Sequence, residues 1–183
     1  MFAIILSLNV AFANIAPAQS LSAWQSEFPK GDFSENSVPY REFEYDGNTR
    51  DTIPPIYDPK YLPVAQAGQY GDFEPVISVN INGDARAYPL QIMLWHEIVN
   101  DTIGGEPLLI TYCPLCNSGV VFSRQVYGQV LDFGNTGRLR HLDMVMFDHQ
   151  SESWWQQITG TAIMGSRAGD KMKMIPSRLE SLS

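Results

Sequence analysis

Cys113 and Cys116 are the only two cysteines in the chain, two residues apart in YCPLCNS (residues 112–118). Three chemistries suit such a pair. In a metal knuckle, a Cys-x-x-Cys turn at a strand end points both sulfurs at one spot. The residue after the second Cys then takes a positive φ. Gly usually fills that place, and Asn117 is the next most tolerant residue type. In a thiol–disulfide centre, Cys113 attacks and Cys116 resolves. That chemistry expects a helix N-terminus to depress the thiol pKa, whereas GVVF at 119–122 is β-type. The third reading is structural: a small disulfide or two buried thiols.

Two sulfurs cannot complete a four-coordinate site. The chain has three histidines, His96, His141 and His149. His96 begins the segment that returns to Cys113 if Gly104-Gly105 is a hairpin turn, which sets it at the cysteine end of that hairpin. His141 and His149 sit in polar surroundings and read as ordinary surface residues. The acidic candidates are Glu97, Asp101, Asp143 and Asp148. In DMVMFD (residues 143–148), alternation puts Met144, Met146 and Asp148 on one face. The metal reading therefore takes Cys113, Cys116 and His96 as ligands. Glu97, Asp148 or Met146 is then the fourth ligand or a partner that orients one. Copper or zinc suits these donors. A rubredoxin-like iron site would need two more cysteines. The methionines equally suit core gap-filling.

These residues need elements to hold them. VISVNI (76–81), Asn82-Gly83 and the run 85–88 predict a hairpin. Residues 89–95, PLQIMLW, predict a short helix opened by Pro89. Segments 96–103 and 106–112 flank Gly104-Gly105, and 119–124 and 129–133 flank Tyr127-Gly128. Residues 143–148, 153–157 and 171–175 read as further strands. The fold expected is mainly β (α+β): a single antiparallel β-rich domain with hairpins and a few short helices. It spans residues 53–183, with no terminal element to close the sheet. Ahead of it, residues 19–52 read as an extended, irregular arm that Trp24, Phe28, Phe33 and Tyr40 pin to the domain. Four prolines in 53–63 exclude regular helix and central strand there.

Residues 1–18 read as a secretory signal: an apolar run too short to span a bilayer, then small residues, with cleavage before Asn14 or Gln19. No Lys or Arg precedes the run. Export, to the periplasm or beyond, means an oxidising compartment, where paired thiols are metal-bound, cycled or oxidised. With 44% hydrophobic and 17% charged residues the chain is built to fold. Its net charge of −8 argues against nucleic acid and anionic membrane surfaces as partners. No membrane span is expected once the signal is removed. No dinucleotide fingerprint, phosphate loop or Ser/His/Asp spacing stands out, so no nucleotide cofactor is predicted. The partner expected is an unidentified small molecule or a metal donor.

Taken together, DTIPPIYDPKY, NINGDARAYPL, WHEIVNDTIGGEP, YCPLC and DMVMFD…ESWWQQITG resemble the secreted prokaryotic family called domain of unknown function 3179. The likeness runs from DFSENSVPY (32–40) to the C-terminus. It implies that Trp95, His96, Glu97, Asn100, Asp101, Cys113, Cys116, Ser118, Asp143, Asp148 and Trp155 occupy family motif positions, and it implies no settled activity. Three departures stand out. Asn117 stands where Gly is usual, and His141 and His149 stand where members often have Asn and Arg. The chain also stops before the family's usual C-terminal Trp-rich segment, as a chain truncated at its C-terminus would. Three readings remain open at this point: an exported metal-binding domain, a thiol–disulfide oxidoreductase on the same cysteines, and a non-catalytic binding module.

Overall fold

The computed structural model describes residues 21–71 and 73–182, so the expected signal, residues 1–18, lies outside it. Along the chain come α1 (Leu21–Glu27), β1 (Phe43–Tyr45), β2 (Ile56–Tyr57), β3 (Pro75–Ile81), β4 (Asp84–Pro89) and α2 (Leu90–His96). The central strands are β5 (Ile98–Ile103), β6 (Glu106–Cys113), β7 (Ser118–Ser123), β8 (Gln125–Val126) and β9 (Gln129–Val130). Then follow β10 (Phe133–Arg140), β11 (Asp143–Asp148), β12 (Trp154–Gln156), β13 (Thr161–Met164), β14 (Met174–Ile175) and β15 (Arg178–Ser181). The protein is mainly β, and its pairings are antiparallel except β2 with β5.

The order in the first large sheet is β1-β10-β11-β12-β13, and in the second β14-β7-β6-β5-β2. A third sheet, β15-β3-β4, and α2 cover the second sheet's far face. The second sheet is therefore buried on both sides, which is why β6 reads as an unbroken apolar run. Its alternate residues serve two cores. Leu109 and Cys113 face the first sheet with Met144, Met146 and Trp155. Leu108, Ile110 and Tyr112 face the third sheet with Ile77, Val79 and Met93.

The first sheet's outer face is covered by the segment expected as an irregular arm. Part of that segment is regular: α1 forms because Trp24 and Phe28, four residues apart, face the same way. Both enter a core with Phe33, Phe43, Phe147 and Trp154. The Trp154 ring centroid lies 4.9 Å from that of Trp24, 5.3 Å from Phe28 and 5.1 Å from Phe33.

Three two-residue turns fall where their residue types put them: Asn82-Gly83, Gly104-Gly105 and Tyr127-Gly128, all with positive φ. At Gly104 a Cβ would come 2.2 Å from the Ile81 carbonyl oxygen, so the first two turns dock only because this residue is glycine. Four features depart from expectation. Pro89 flanks α2 instead of opening it. The third turn joins the short strands β8 and β9, while Phe133 starts the long strand β10. Strand β10 pairs with β11 through a shift of register between Asn135 and Arg138. Last, a C-terminal strand does exist: β15 pairs with β3 from Arg178↔Ser78 to Ser181↔Pro75.

The β10–β11 turn is His141-Leu142, with φ of 54° and 63°. Left-handed backbone costs an L-residue roughly 1–2 kcal/mol, and Leu has no side-chain hydrogen bond to offset it. His141→Asn with Leu142→Gly is thus expected to stabilise the protein by about 1–2 kcal/mol in urea unfolding. No gain, or a loss, would mean that the exposed Leu142 packs more usefully than its backbone strain costs.

Candidate functional site

Cys113 ends β6 and Ser118 begins β7, and the four residues between them make the turn. The turn closes with Asn117 N–H donating to the Pro114 carbonyl at 3.3 Å. Asn117 takes a φ of 47°, as a knuckle requires, and Tyr112 Oη donates to its Oδ1 at 2.8 Å. Cys113 is buried, Cys116 is exposed, and no disulfide joins them.

The third member comes from the other sheet. Asp143, first residue of β11, stands so that its carboxylate oxygen and the two sulfurs all lie within 4.8 Å of one another. Its Oδ2 accepts from Gln156 Nε2 and, at 3.1 Å, from Ile158 N–H. Its Oδ1 is thereby aimed at Cys116 Sγ, 3.5 Å away. Among the described residues Asp143 forms no ion pair. Cys116 Sγ also lies 3.0 Å from Ser118 Oγ, which donates to Gln157 Oε1 at 3.0 Å. Gln157 is held in turn by donating to Thr111 Oγ1 at 2.8 Å. Two buried amides, Gln156 and Gln157, thus fix the groups around the exposed sulfur, as partners behind a ligand shell do.

Burial, reinforced by the hydrogen bond with Cys116, pushes the Cys113 thiol up to about 12. An attacking thiol needs the opposite. A bound cation would reverse this balance, because a coordinating thiol is deprotonated.

His96 is level with Cys113, since Ile98 pairs with Thr111 and the Glu97 carbonyl accepts from Tyr112 N–H at 2.8 Å. Its side chain goes elsewhere. Helix α2 ends in left-handed Glu97, with φ of 57°, and His96 Nδ1 meets the Pro54 carbonyl at 2.7 Å. No nitrogen of His96 belongs to the group of Cys113, Cys116 and Asp143. Two of the residues expected as a fourth ligand are engaged apart from it as well. Asp148 accepts from Trp155 Nε1 at 2.9 Å and from Ser151, and Met146 is buried in the core between the sheets. His141 approaches Glu42, and His149 approaches the Tyr57 hydroxyl at 2.7 Å.

Glu97 accepts from Asn135 Nδ2 at 2.6 Å. Burial, then the nearby charge of Asp46, raises its carboxyl from the usual 4.5 to about 7. A raised carboxyl binds its proton more tightly in the folded state. Folding stability should therefore fall as pH climbs from 4.5 to about 7, by at most about 3 kcal/mol. Glu97→Gln keeps an acceptor for Asn135 and is expected to remove that slope, gaining stability at pH 8. Equal slopes in wild type and variant, measured by urea unfolding across this range, would assign the pH dependence to other groups.

Of the site residues, sequence reasoning named Cys113, Cys116, Ser118 and Asp143 but did not join the last two to the sulfurs. Gln156 and Gln157 went unnoticed, lacking any spacing signal. Other family positions serve elsewhere. Asn100 grips the backbone of Phe133 through both of its amide atoms, at 2.8 Å each. Asp101 lies under two tyrosines, and Trp95 is exposed. Among the described residues no helix is long and apolar enough to cross a membrane. No curated protein and no solved structure matches the chain. A family model does, from residue 50 to residue 183, covering every element of the site, and the chain accordingly belongs to the family described as protein of unknown function, DUF3179.

Proposed function

We propose that this is an exported metal-binding domain, with Cys113, Cys116 and Asp143 as protein ligands and zinc as the metal. The observation that carries the proposal is the convergence of two thiols and a carboxylate, all within 4.8 Å, from two different sheets. Deprotonated, the three would carry three negative charges side by side, which a divalent cation stabilises. Metal–ligand bonds of about 2.0–2.3 Å put tetrahedral ligand atoms roughly 3.5–3.8 Å apart. The Cys116–Asp143 separation of 3.5 Å already matches, and the other separations, all within 4.8 Å, need to close by at most about an ångström. A carboxylate beside two thiolates favours zinc over copper(I), which prefers sulfur alone.

The fourth position falls to water or to a group brought in on loading. His96 is the proposed protein candidate. If Nδ1 is the nitrogen that donates to Pro54, Nε2 keeps the lone pair a metal takes. Elemental analysis of untagged protein from the exported fraction tests the proposal. One zinc per chain is expected, removable by chelator and restored on titration. Protein that carries no metal and binds none at neutral pH under reducing conditions would end the metal reading and leave the thiols to exchange chemistry, with exposed Cys116 as the attacking sulfur.

A further inference from the structure

A cavity of about 650 Å³ lies away from the cysteines, between residues 59–70 on one side and β4 with α2 on the other. Its wall takes in all six residues of β4, so it follows that strand for roughly 17–20 Å. Leu62, Val64, Ile92, Met93, Val99 and Leu182 make the wall largely apolar. Leu62 and Val64 line it and are nonetheless 55% and 74% exposed, so the cavity opens to solvent along residues 59–70.

The polar groups of the wall answer one another. Arg86 is gripped by Asp84 through two bonds, at 3.0 and 2.9 Å, and also hydrogen-bonds the Tyr61 hydroxyl. Tyr61 donates to the Tyr88 hydroxyl at 2.9 Å, and Tyr88 donates to Asp101. This chain of contacts closes on itself, and Lys60, the remaining charged residue of the wall, is exposed. What the cavity offers a ligand is therefore apolar surface. The segment beside it is held to the body at one place. Among the described residues, the backbone hydrogen bonds of 58–70 are local: Gln66 to Pro63, Ala67 to Val64 and Tyr70 to Ala67. Its polar ties to the rest of the protein all pass through Tyr61, whose hydroxyl meets Tyr88 and Asp101 and whose ring centroid lies 4.1 Å from the Arg86 guanidinium carbon. A segment tied so sparsely opens at low cost in free energy.

We infer that this cavity binds a single long acyl chain, with residues 58–70 as the lid it enters beneath and Tyr61 as the latch. The volume is that of a small-molecule site. An apolar cavity of about 150 Å³ holds one benzene, so this one holds roughly four times as much. Its course along β4 suits an extended chain better than a compact ring system. An occupant that covers Leu62 and Val64 removes their surface from water, which favours binding in proportion to the apolar area buried. No buried polar group of the wall selects the head group, so a free fatty acid and the tail of a lipid share the chemistry recognised.

Titration of the full chain with fluorescent cis-parinarate tests this, with competitors kept below their micelle-forming concentrations. One saturable site is expected. Hexadecanoate should displace the probe at least about tenfold more effectively than octanoate, since each added methylene buries more apolar surface. Palmitoyl lysophosphatidylcholine tells the two sources apart: competition like that of hexadecanoate identifies a lipid tail, no competition identifies the free acid, and either result upholds the acyl chain. Ala67→Trp, from the lid, and Ala87→Trp, from β4, fill the cavity and should each weaken probe binding by about tenfold or more. Ala87→Trp risks the strand; Ala67 makes only local backbone bonds, so a folded Ala67→Trp variant decides the matter. Tyr61→Phe should speed probe association and raise hydrogen exchange in residues 58–70 above its rise elsewhere. Cys116→Ser should bind the probe like wild type, which separates this inference from the metal proposal. Absence of saturable binding, equal displacement by octanoate and hexadecanoate, undiminished binding by folded Ala67→Trp, or exchange in Tyr61→Phe that rises no more in 58–70 than elsewhere would each overturn the inference.

Discussion

Cys113→Ser, Cys116→Ser and Asp143→Ala are each expected to weaken zinc binding by about a hundredfold or more, since each removes one of the three protein ligands proposed. The graded part of the series is the more informative. Gln156→Ala leaves all three ligands but frees the Asp143 carboxylate to rotate, because Gln156 Nε2 and Ile158 N–H hold its Oδ2. Loss of such an orienting partner costs roughly 10–100-fold in metal affinity. Gln157→Ala, which releases Ser118 from behind Cys116, should fall in the same range. His141→Ala and His149→Ala should bind zinc like wild type, because those rings are turned to Glu42 and Tyr57. His96→Ala reports on the fourth position: a large loss assigns it to the histidine, little change assigns it to water. Affinity should also drop on acidification, since binding must displace protons from both thiols. A series measured by competition with a chromogenic chelator, in which Asp143→Ala binds as wild type does, would remove the carboxylate from the site and with it the case for zinc.

How much of this could be read beforehand depends on which contacts are local. The glycine turns at 82–83, 104–105 and 127–128 and the helix over residues 90–96 follow from neighbouring residue types, and the structure has all of them. The knuckle was legible for the same reason: Asn117 tolerates the positive φ that the turn needs. Strand β10 was not. Its stretch Gly134-Asn135-Thr136-Gly137 has the composition of a loop, yet it forms a strand whose register shifts just there. The turn that follows, His141-Leu142, carries no Gly or Asn to announce it. With strand and turn both hidden, nothing set Asp143 beside the cysteines, and that contact crosses from one sheet to another in any case. His96 shows the limit of the opposite kind. The pairing argument gave its backbone level correctly, but Glu97 turns left-handed at the helix end, and the ring swings to Pro54. Register fixes where a backbone lies; it does not fix where a side chain points once the helix has ended.

The largest expected loss of stability lies far from the thiols, in the ion pair between Glu27 and Arg138. Arg138 is 1% exposed in its side chain, and Glu27, from α1, is 18% exposed. The carboxylate takes both terminal nitrogens of the guanidinium, and the Arg50 backbone N–H as well. The guanidinium carbon sits 5.7 Å from the ring centroids of Trp154 and Tyr45 and 5.8 Å from that of Phe28, inside the aromatic layer. Glu27→Ala therefore strands a buried cation without its carboxylate, which costs about 3–5 kcal/mol. Glu27→Gln should cost less, since the amide oxygen still accepts one bond. The double variant Glu27→Leu with Arg138→Met supplies the decisive comparison. If burial of the charge, and not loss of the α1 contact as such, sets the cost, the double variant should recover most of the stability lost by Glu27→Ala, because apolar replacement of a buried pair is often neutral or better. Urea unfolding monitored by tryptophan fluorescence reads both steps, with Trp24 and Trp154 beside the pair as reporters. A double variant no more stable than Glu27→Ala would show that the pair instead fixes how the segment of residues 21–45 docks on the first sheet, and that apolar packing cannot replace it.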